Sequence, residues 1–495
     1  MIIDLLIILI LMGFLSSIAI LTELIVNKKL IYPEISREIL HITAGITSIV
    51  AILFVQNILL LKWVSFFLVF LVFYFVYFSK LQDKDNNNSK SWGMFYFALS
   101  TFLLLFFLGD KYPDIIITSL LILTFSDSFA AIMGTFFAKS YFRITSDKKS
   151  IFGSAAFFIL TFIILFFSPI YSSNFVFLAR DVYLSFITAI AISVVLTSLE
   201  MISSNGLDNL TVPIFSGILL ILLINPINSL NPHYFLFGLF LAFVISVISF
   251  RVKFLTLNGA AVTFLLAGFL FGLGSWKWSL PILTFFILSS VLSKIRKKKN
   301  TSVELYFEKS GTRDYLQVIA NGGLGGILVI LYNLFPNEIW YLIYVSSIAA
   351  VCADTWATEI GTYKKTSTFN ILTLKRTEQG VSGGISWIGT FGALLGTIII
   401  SISGLFWIQN NLVDYIIIVV IAGMFGCFLD SFLGASIQAQ YKCNVCGKNT
   451  ERVMHCGKKT VLGNGYSWIN NDFVNLFSGI AGGLVSLISI IILTN

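Results

Sequence analysis

The chain is 495 residues long, 57% hydrophobic, 15% aromatic and 11% charged, with a formal net charge of +8. Apolar runs close to the ~20 residues that cross a bilayer recur from end to end, which excludes a soluble enzyme and predicts an all-α, polytopic integral membrane protein. The positive balance does not imply a nucleic-acid partner, because the basic residues sort by loop rather than onto one surface.

About sixteen spans in two halves are expected from length and hydropathy, near 2–26, 39–60, 63–79, 93–109, 113–137, 151–168, 181–199, 212–225, 232–250, 255–274, 277–294, 313–335, 338–360, 385–407, 412–439 and 471–493. Alternate loops then hold all but four of the 32 basic residues, the four being Lys62, Lys111, Arg180 and Lys277. This asymmetry predicts that the basic side is cytoplasmic and the N-terminus external. The first span has no basic leader, so it is expected to be retained rather than cleaved.

In the first half, residues 1–250, Arg37 and His41 are four apart and share a face where a helix enters the membrane. Read simply, they are an interfacial anchor and a satisfied helix histidine. The stretch Lys80 to Lys90 is a polar connector. Asp127 follows inside a long apolar run, and Ala130, Gly134 and Ala138 recur at intervals of four. Those small residues make a bare helix face open to close approach by a neighbouring helix or a ligand. Lys139, Lys148 and Lys149, with Ser150 and Gly153 after them, make a loop whose lysines offer cations for phosphate, or a simple topology anchor. The turn from Glu200 through Asn205-Gly206 to Asp208-Asn209 and Pro213 lies on the side expected to be cytoplasmic, yet holds no Lys or Arg. Its two carboxylates fit a metal site, and equally an ordinary Asn/Asp turn.

These segments resemble the CTP-dependent polyprenol kinases, the group of dolichol kinase and phytol kinase. The signature D-x-x-A-x-x-x-G-x-x-x-G, then K-K-[ST]-x-E-G, is matched at Asp127, Ala130, Gly134, Lys148, Lys149, Ser150 and Gly153. Ala138 replaces a Gly and Phe152 replaces the Glu. The R-x-x-x-H at Arg37 and His41 and the D-N-L-T-V-P at Asp208 resemble phytol kinases in the same order. The resemblance implies a nucleotide site using CTP and Mg2+, with Asp127, Glu200, Asp208 or His41 as catalytic groups and Asn209 among the binding residues.

The second half, residues 251–495, opens with a Gly-rich span. Lys294, Arg296, Lys297, Lys298, Lys299, Lys309 and Arg313 follow as a basic loop, whose run Lys297–Lys299 reads as an anchor facing anionic lipid. Arg313, Gln317 and Asn321 are spaced by four and make one polar helix face, which lines a site or bonds another helix. Asp354 and Glu359 end an apolar run. Five apart, they do not share a strict helical face, so either the helix breaks or each serves a different ligand. Lys375 and Arg376 precede Ser382-Gly383-Gly384, a turn fit to cradle an anion at a helix start. Asp430, Gln438, Asn471, Asp472 and Asn475 complete the acidic and amide set. Cys443, Cys446 and Cys456 share one loop with His455. C-x-x-C followed by Gly is zinc-knuckle spacing, and the alternative is a disulfide with a spare thiol.

The motifs R-x-x-x-Q-V-x-x-N-G-G, A-D-T-W-A-T-E-x-G, S-G-G, D-S-x-x-G-A-x-x-Q and N-D-x-V-N run in order over residues 313–475. The series resembles the membrane-protein family that contains plant phytyl-phosphate kinase. Together the resemblances imply a bifunctional membrane kinase, a phosphotransferase taking an isoprenoid alcohol to its monophosphate and then to its diphosphate. CTP or another nucleoside triphosphate would be the donor. Magnesium would sit on Asp127, Asp354, Glu359, Asp430 or Asp472, and the active sites would face the cytoplasm. A lipid cytidylyltransferase, a secondary transporter and a membrane scaffold with a zinc docking loop are the alternative readings.

Overall fold

The computed structural model describes residues 2–82, 92–137, 139–227, 229–300, 312–408 and 411–494. Most of the polar connector at 83–90, Ala138 of the small-residue face and the segment 301–311 with Lys309 lie outside the described residues. The protein is an all-α polytopic membrane protein, with a few strands of two to four residues at helix junctions. Among the described residues 12 helices are long and apolar enough to cross a membrane, and Gly93–Leu108, Ile151–Phe166 and Asp208–Ile224 are shorter apolar helices. The expected count of sixteen is therefore not confirmed. The spans expected at 255–274 and 277–294 form one element, Leu257–Lys299, broken at Ser275 (φ 55°, ψ −155°). Two compact units, Met1–Leu236 and Phe237–Asn495, divide the chain inside the helix Pro232–Arg251.

In the first unit the organising element is the apolar span Pro113–Phe136, interrupted by a π segment at Ile122–Asp127. Ile115, Ile116, Leu120, Ile122 and Leu123 on it are fully buried. Glycine sets how close its neighbours come. A Cβ on Gly45 would lie 1.8 Å from Thr124 Oγ1, so the helix Pro33–Phe54 docks on the π segment only with glycine there. Gly134 and Gly153 meet in the same way around Ser150, which caps the helix Ile151–Phe166 by accepting from the Gly153 amide. The bare face read from the sequence is thus a helix–helix contact.

In the second unit the helix Ile339–Gly361 is central, packed by Trp387–Gly404, Leu412–Ser436 and Asn471–Thr494. Ala349, Ala350 and Ala353 are fully buried on it. Cβ atoms on Gly423, Gly426 and Gly482 would come within 3.0 Å of Ala349 or Ala350. Between membrane helices such small residues let backbones approach, and close van der Waals packing replaces the hydrophobic effect as the cohesive force. The helix is unbroken through Asp354 and Glu359, so of the two readings for that pair the break is excluded.

Candidate functional site

In the first unit the π segment ends at Asp127, whose Oδ2 lies 4.0 Å from His41 Nε2. A π turn shifts the carbonyl–amide pairing by one residue. Here the His41 Nε2–H donates to the Leu123 carbonyl at 3.2 Å, which fixes the ring beside Asp127. Lys149 reaches in from the loop, with Nζ 2.7 Å from Glu200 Oε1 and 2.9 Å from Asp208 Oδ2. Ser154 donates to the other Glu200 oxygen at 3.1 Å. Burial opposes the lysine's charge, but the Asp208 and Glu200 carboxylates outweigh it and hold Lys149 above its ordinary range. This corrects two expectations. Glu200 and Asp208 hold a lysine rather than an open metal position, and Lys149 is not a spare cation for phosphate.

Other first-half candidates separate from this cluster. Arg37 is 72% exposed at its side chain and pairs with Glu38, while Lys139 and Lys148 are exposed. Asn209 donates to the Gly206 carbonyl at 3.2 Å, and its buried Oδ1 receives no hydrogen bond among the described residues. Asp147, not singled out in the sequence, ties the loop to the acidic turn by accepting from the Asn205 amide at 2.7 Å.

The second unit holds a cavity of about 260 Å³. Arg313, Gln317, Asn321, Asp354, Glu359, Ser382, Gly383, Gly384, Asp430, Gln438, Asn471, Asp472 and Asn475 line it, so motifs spread over 160 residues of chain converge there. Within this lining the Asp354 and Asp430 carboxyls are neighbours. Asp430 is buried and Asp354 half-buried, and two adjacent carboxylates so placed favour a shared proton or a cation. Asp430 Oδ2, Asn321 Oδ1 and Asn475 Oδ1 are buried and receive no hydrogen bond among the described residues. Glu359 differs, because Arg296 Nε donates to its Oε2 at 2.7 Å and Ser293 donates to its Oε1. It anchors a buried arginine and is not an open magnesium ligand.

The same lining holds donors. The Arg313 guanidinium lies 5.1 Å from the centroid of Phe285 and 5.5 Å from that of Phe286. Burial lowers its pKa to about 10, with Glu359 acting against the shift, so it stays cationic at neutral pH. Asp314 and Gln317 form a reciprocal capping box at the start of Tyr315–Leu334, which gives Gln317 a structural task as well as a place on the cavity wall. The turn Gly380–Gly384 carries positive φ at Gly380 (93°) and Gly383 (78°). A Cβ on Gly383 would sit 2.4 Å from the Ala435 Cβ, so the turn seats directly on the end of Leu412–Ser436. Ser386 caps the helix Trp387–Gly404, whose N-terminus opens on the cavity.

Lys375 and Arg376 do not line the cavity and lie exposed on an outer hairpin, against expectation. Arg296 is expected in a basic loop, but the helix continues to Lys299 and buries it. Glu451 was not singled out at all. It accepts from Gln438 Nε2 at 2.9 Å and from the Ser382 hydroxyl. An acidic residue five positions beyond a C-x-x-C was the only signal available.

The cysteine loop is built of a three-stranded sheet, in which Val461–Asn464 flanks Gln440–Lys442, and a hairpin. The strands Gln440–Lys442 and Asn449–Thr450 pair around Cys443 and Cys446, and Met454–His455 pairs with Lys458–Lys459 around His455 and Cys456. All five cysteines of the chain are free thiols. Backbone N–H donation, chiefly from Cys446, lowers the Cys443 thiol to about 6.

Residues 240–483, within the second unit, match the family described as "Integral membrane protein DUF92". "Protein PGR" of Arabidopsis thaliana is 26% identical over 267 residues, covering 49% of this chain and 91% of that protein. "Uncharacterized membrane protein MJ0933" of Methanocaldococcus jannaschii is 27% identical over 214 residues, 43% of this chain and 76% of that protein. "Protein VTE6, chloroplastic" of Arabidopsis thaliana is 22% identical over 244 residues, 47% of this chain and 66% of that protein. No solved structure matches. These findings overturn the expected identity of the chain as a fusion of a CTP-dependent polyprenol kinase-like half with a phytyl-phosphate kinase-like half. The matched family is DUF92, and the named relatives are PGR and VTE6.

Proposed function

We propose that the protein is a membrane phosphotransferase whose second unit extends an isoprenyl monophosphate to the diphosphate. The observation that carries this reading is the mixed lining of the cavity. Asp354, Asp430 and the unbonded oxygens of Asn321 and Asn475 line it as hard-oxygen groups, together with Arg313 and the Gly380–Gly384 turn. Oxygen ligands of this kind suit Mg2+, and Asp472 adds a further carboxylate. The arginine suits phosphate oxygens. Phosphoryl transfer needs this combination of alignment and charge neutralisation more than covalent chemistry by the protein.

In the proposed step a phosphate oxygen of the lipid attacks the terminal phosphorus of a nucleoside triphosphate. A new P–O bond forms, the bond to the nucleoside diphosphate breaks, and the diphosphate leaves with its electron pair. No strong base is required, since a phosphate monoester has its second pKa at roughly 6 and is ionised at neutral pH. Magnesium, when bound, would neutralise charge on the transferring group. The first unit would supply the monophosphate from the alcohol. An alcohol must lose a proton, and Asp127, positioned beside His41, is the group left for that task once Glu200 and Asp208 are paired with Lys149.

The test uses purified protein, Mg2+, labelled CTP or ATP, and panels of isoprenoid alcohols and isoprenyl monophosphates, with products separated by thin-layer chromatography. Label in an isoprenyl diphosphate is expected from the monophosphates. Label in no lipid with either donor defeats the reading, and a cytidylylated lipid replaces it with nucleotidyl transfer.

A further inference from the structure

We infer that Cys443, Cys446, His455 and Cys456 hold one zinc ion, and that the metal presents Glu451 to the cavity rim as a positioning residue. The four ligand atoms all lie within 4.8 Å of one another. His455 Nδ1 is 3.6 Å from Cys446 Sγ and 3.2 Å from Cys456 Sγ. A tetrahedral zinc with bonds of about 2.3 Å to sulfur and 2.0 Å to nitrogen sets ligand edges of roughly 3.5–3.8 Å, so the cluster closes on a metal with small shifts.

Backbone geometry explains how neighbours in sequence both reach one ion. Cys456 has φ 52° and Gly457 φ 74°, a tight left-handed pair that swings the thiol back toward the His455 ring. Gly447, with φ 71°, plays the same part after Cys446, where the Gly447 amide bonds the Cys443 carbonyl at 2.9 Å. The Val445 amide donates to Cys443 Sγ at 3.4 Å, which favours the thiolate a metal requires.

The hairpin of Met454–His455 with Lys458–Lys459, two paired residues a strand, does not hold itself together in water, whereas Gln440–Lys442 is also paired by Val461–Asn464. A shared metal would clamp the hairpin to the sheet, one ligand pair from each turn. Glu451 lies in the link between them, one residue past the strand Asn449–Thr450 and three before Met454–His455. Its carboxylate bridges Ser382 in the glycine turn and Gln438 at the end of Leu412–Ser436. The metal would thus fix the link, the link would fix Glu451, and Glu451 would fix the turn. Inside that turn the Gly384 amide donates to the Val381 carbonyl at 3.0 Å, and the Ile371 amide to the Gly383 carbonyl at 3.0 Å. Those two amides report on whether the turn is held.

The experiment needs no substrate. Full-length protein purified in detergent under reducing conditions is analysed for metal, and hydrogen–deuterium exchange is followed in peptides containing Ile371 and Gly384. About one zinc per chain is expected, as in structural sites. Chelation should speed exchange in both peptides by about tenfold or more, the scale of losing one charge-assisted hydrogen bond. Restored zinc should reverse it. Glu451→Ala should keep its zinc and show the same faster exchange. Absence of zinc from reduced protein overturns the inference. So does exchange at these peptides that ignores either chelation or the Glu451 substitution. None of these readouts depends on phosphoryl transfer, so the proposal and the proposed activity fail separately.

Discussion

The carboxyl groups of Asp354 and Asp430 are built against stability: they are neighbours in the cavity lining, and Asp430 Oδ2 is buried and receives no hydrogen bond among the described residues. Asp354→Asn keeps size and removes one charge. In Mg2+-free protein this substitution is expected to raise the unfolding temperature, because like charges no longer share the site. Stabilisation by added Mg2+ should disappear, and transfer to isoprenyl monophosphate should fall by about a hundredfold or more. Thermal unfolding with and without Mg2+, beside the transfer assay, checks all three, and unchanged Mg2+ stabilisation would remove Asp354 from the metal site. Lys149 is the opposite case. Lys149→Met leaves Glu200 and Asp208 buried without their shared cation, and breaking a buried ion pair from one side costs about 3–5 kcal/mol. A lower unfolding temperature is expected, with partial recovery when Glu200→Gln is added to remove one of the stranded charges.

At the scale of elements, the site depends on backbones that come unusually close. Gly383 has a positive φ and no room for a Cβ beside Ala435. Gly383→Ala must strain the turn and push it off the helix Leu412–Ser436, at a cost of about 1–3 kcal/mol. Loss of transfer activity together with a lower unfolding temperature is expected, while metal content at the cysteine loop stays unchanged. The π segment Ile122–Asp127 serves the first unit in a comparable way, because it turns the Leu123 carbonyl to His41 and sets Asp127 at its end. Capping chemistry also shapes the sites: Ser150, Asp314 and Ser386 each satisfy a helix N-terminus next to a candidate residue.

For the whole molecule, two compact units each carry their own cluster, so their defects should differ in kind. Asp127→Asn is expected to abolish phosphorylation of the alcohol and spare that of added monophosphate. Asp354→Asn should do the reverse and let monophosphate accumulate. If either substitution alone blocks both steps with both substrates, the two-step reading is wrong. Orientation is testable separately. Lys62 pairs with Asp110 and Lys277 with Glu338, so two of the four bases on the side expected to be external are neutralised. The charge asymmetry predicts cytoplasmic exposure of residues 139–149 and 441–467. Labelling in sealed vesicles of known orientation should reach both segments from the same face, and opposite faces would overturn the proposed topology.

Membrane class was legible because hydropathy is additive along the chain, and runs of apolar residues need no partner to be recognised. The polar faces at Arg313-Gln317-Asn321 and the acidic helix ends were legible for a related reason: a charge in an apolar run is conspicuous wherever it points. What each charge meets was decided only in three dimensions. Spacing could not show that Glu359 is taken by Arg296, that Lys149 bridges Glu200 and Asp208, or that Lys375 and Arg376 stay outside the cavity, since each depends on residues far away in sequence. Glu451 was invisible because its partners lie 69 and 13 residues away, at Ser382 and Gln438. Composition determined that the protein lives in a bilayer, and spacing marked the residues at issue. Tertiary packing chose which charges are neutralised and which oxygens are left for a ligand, because pairing energies depend on distances that the order of residues does not set.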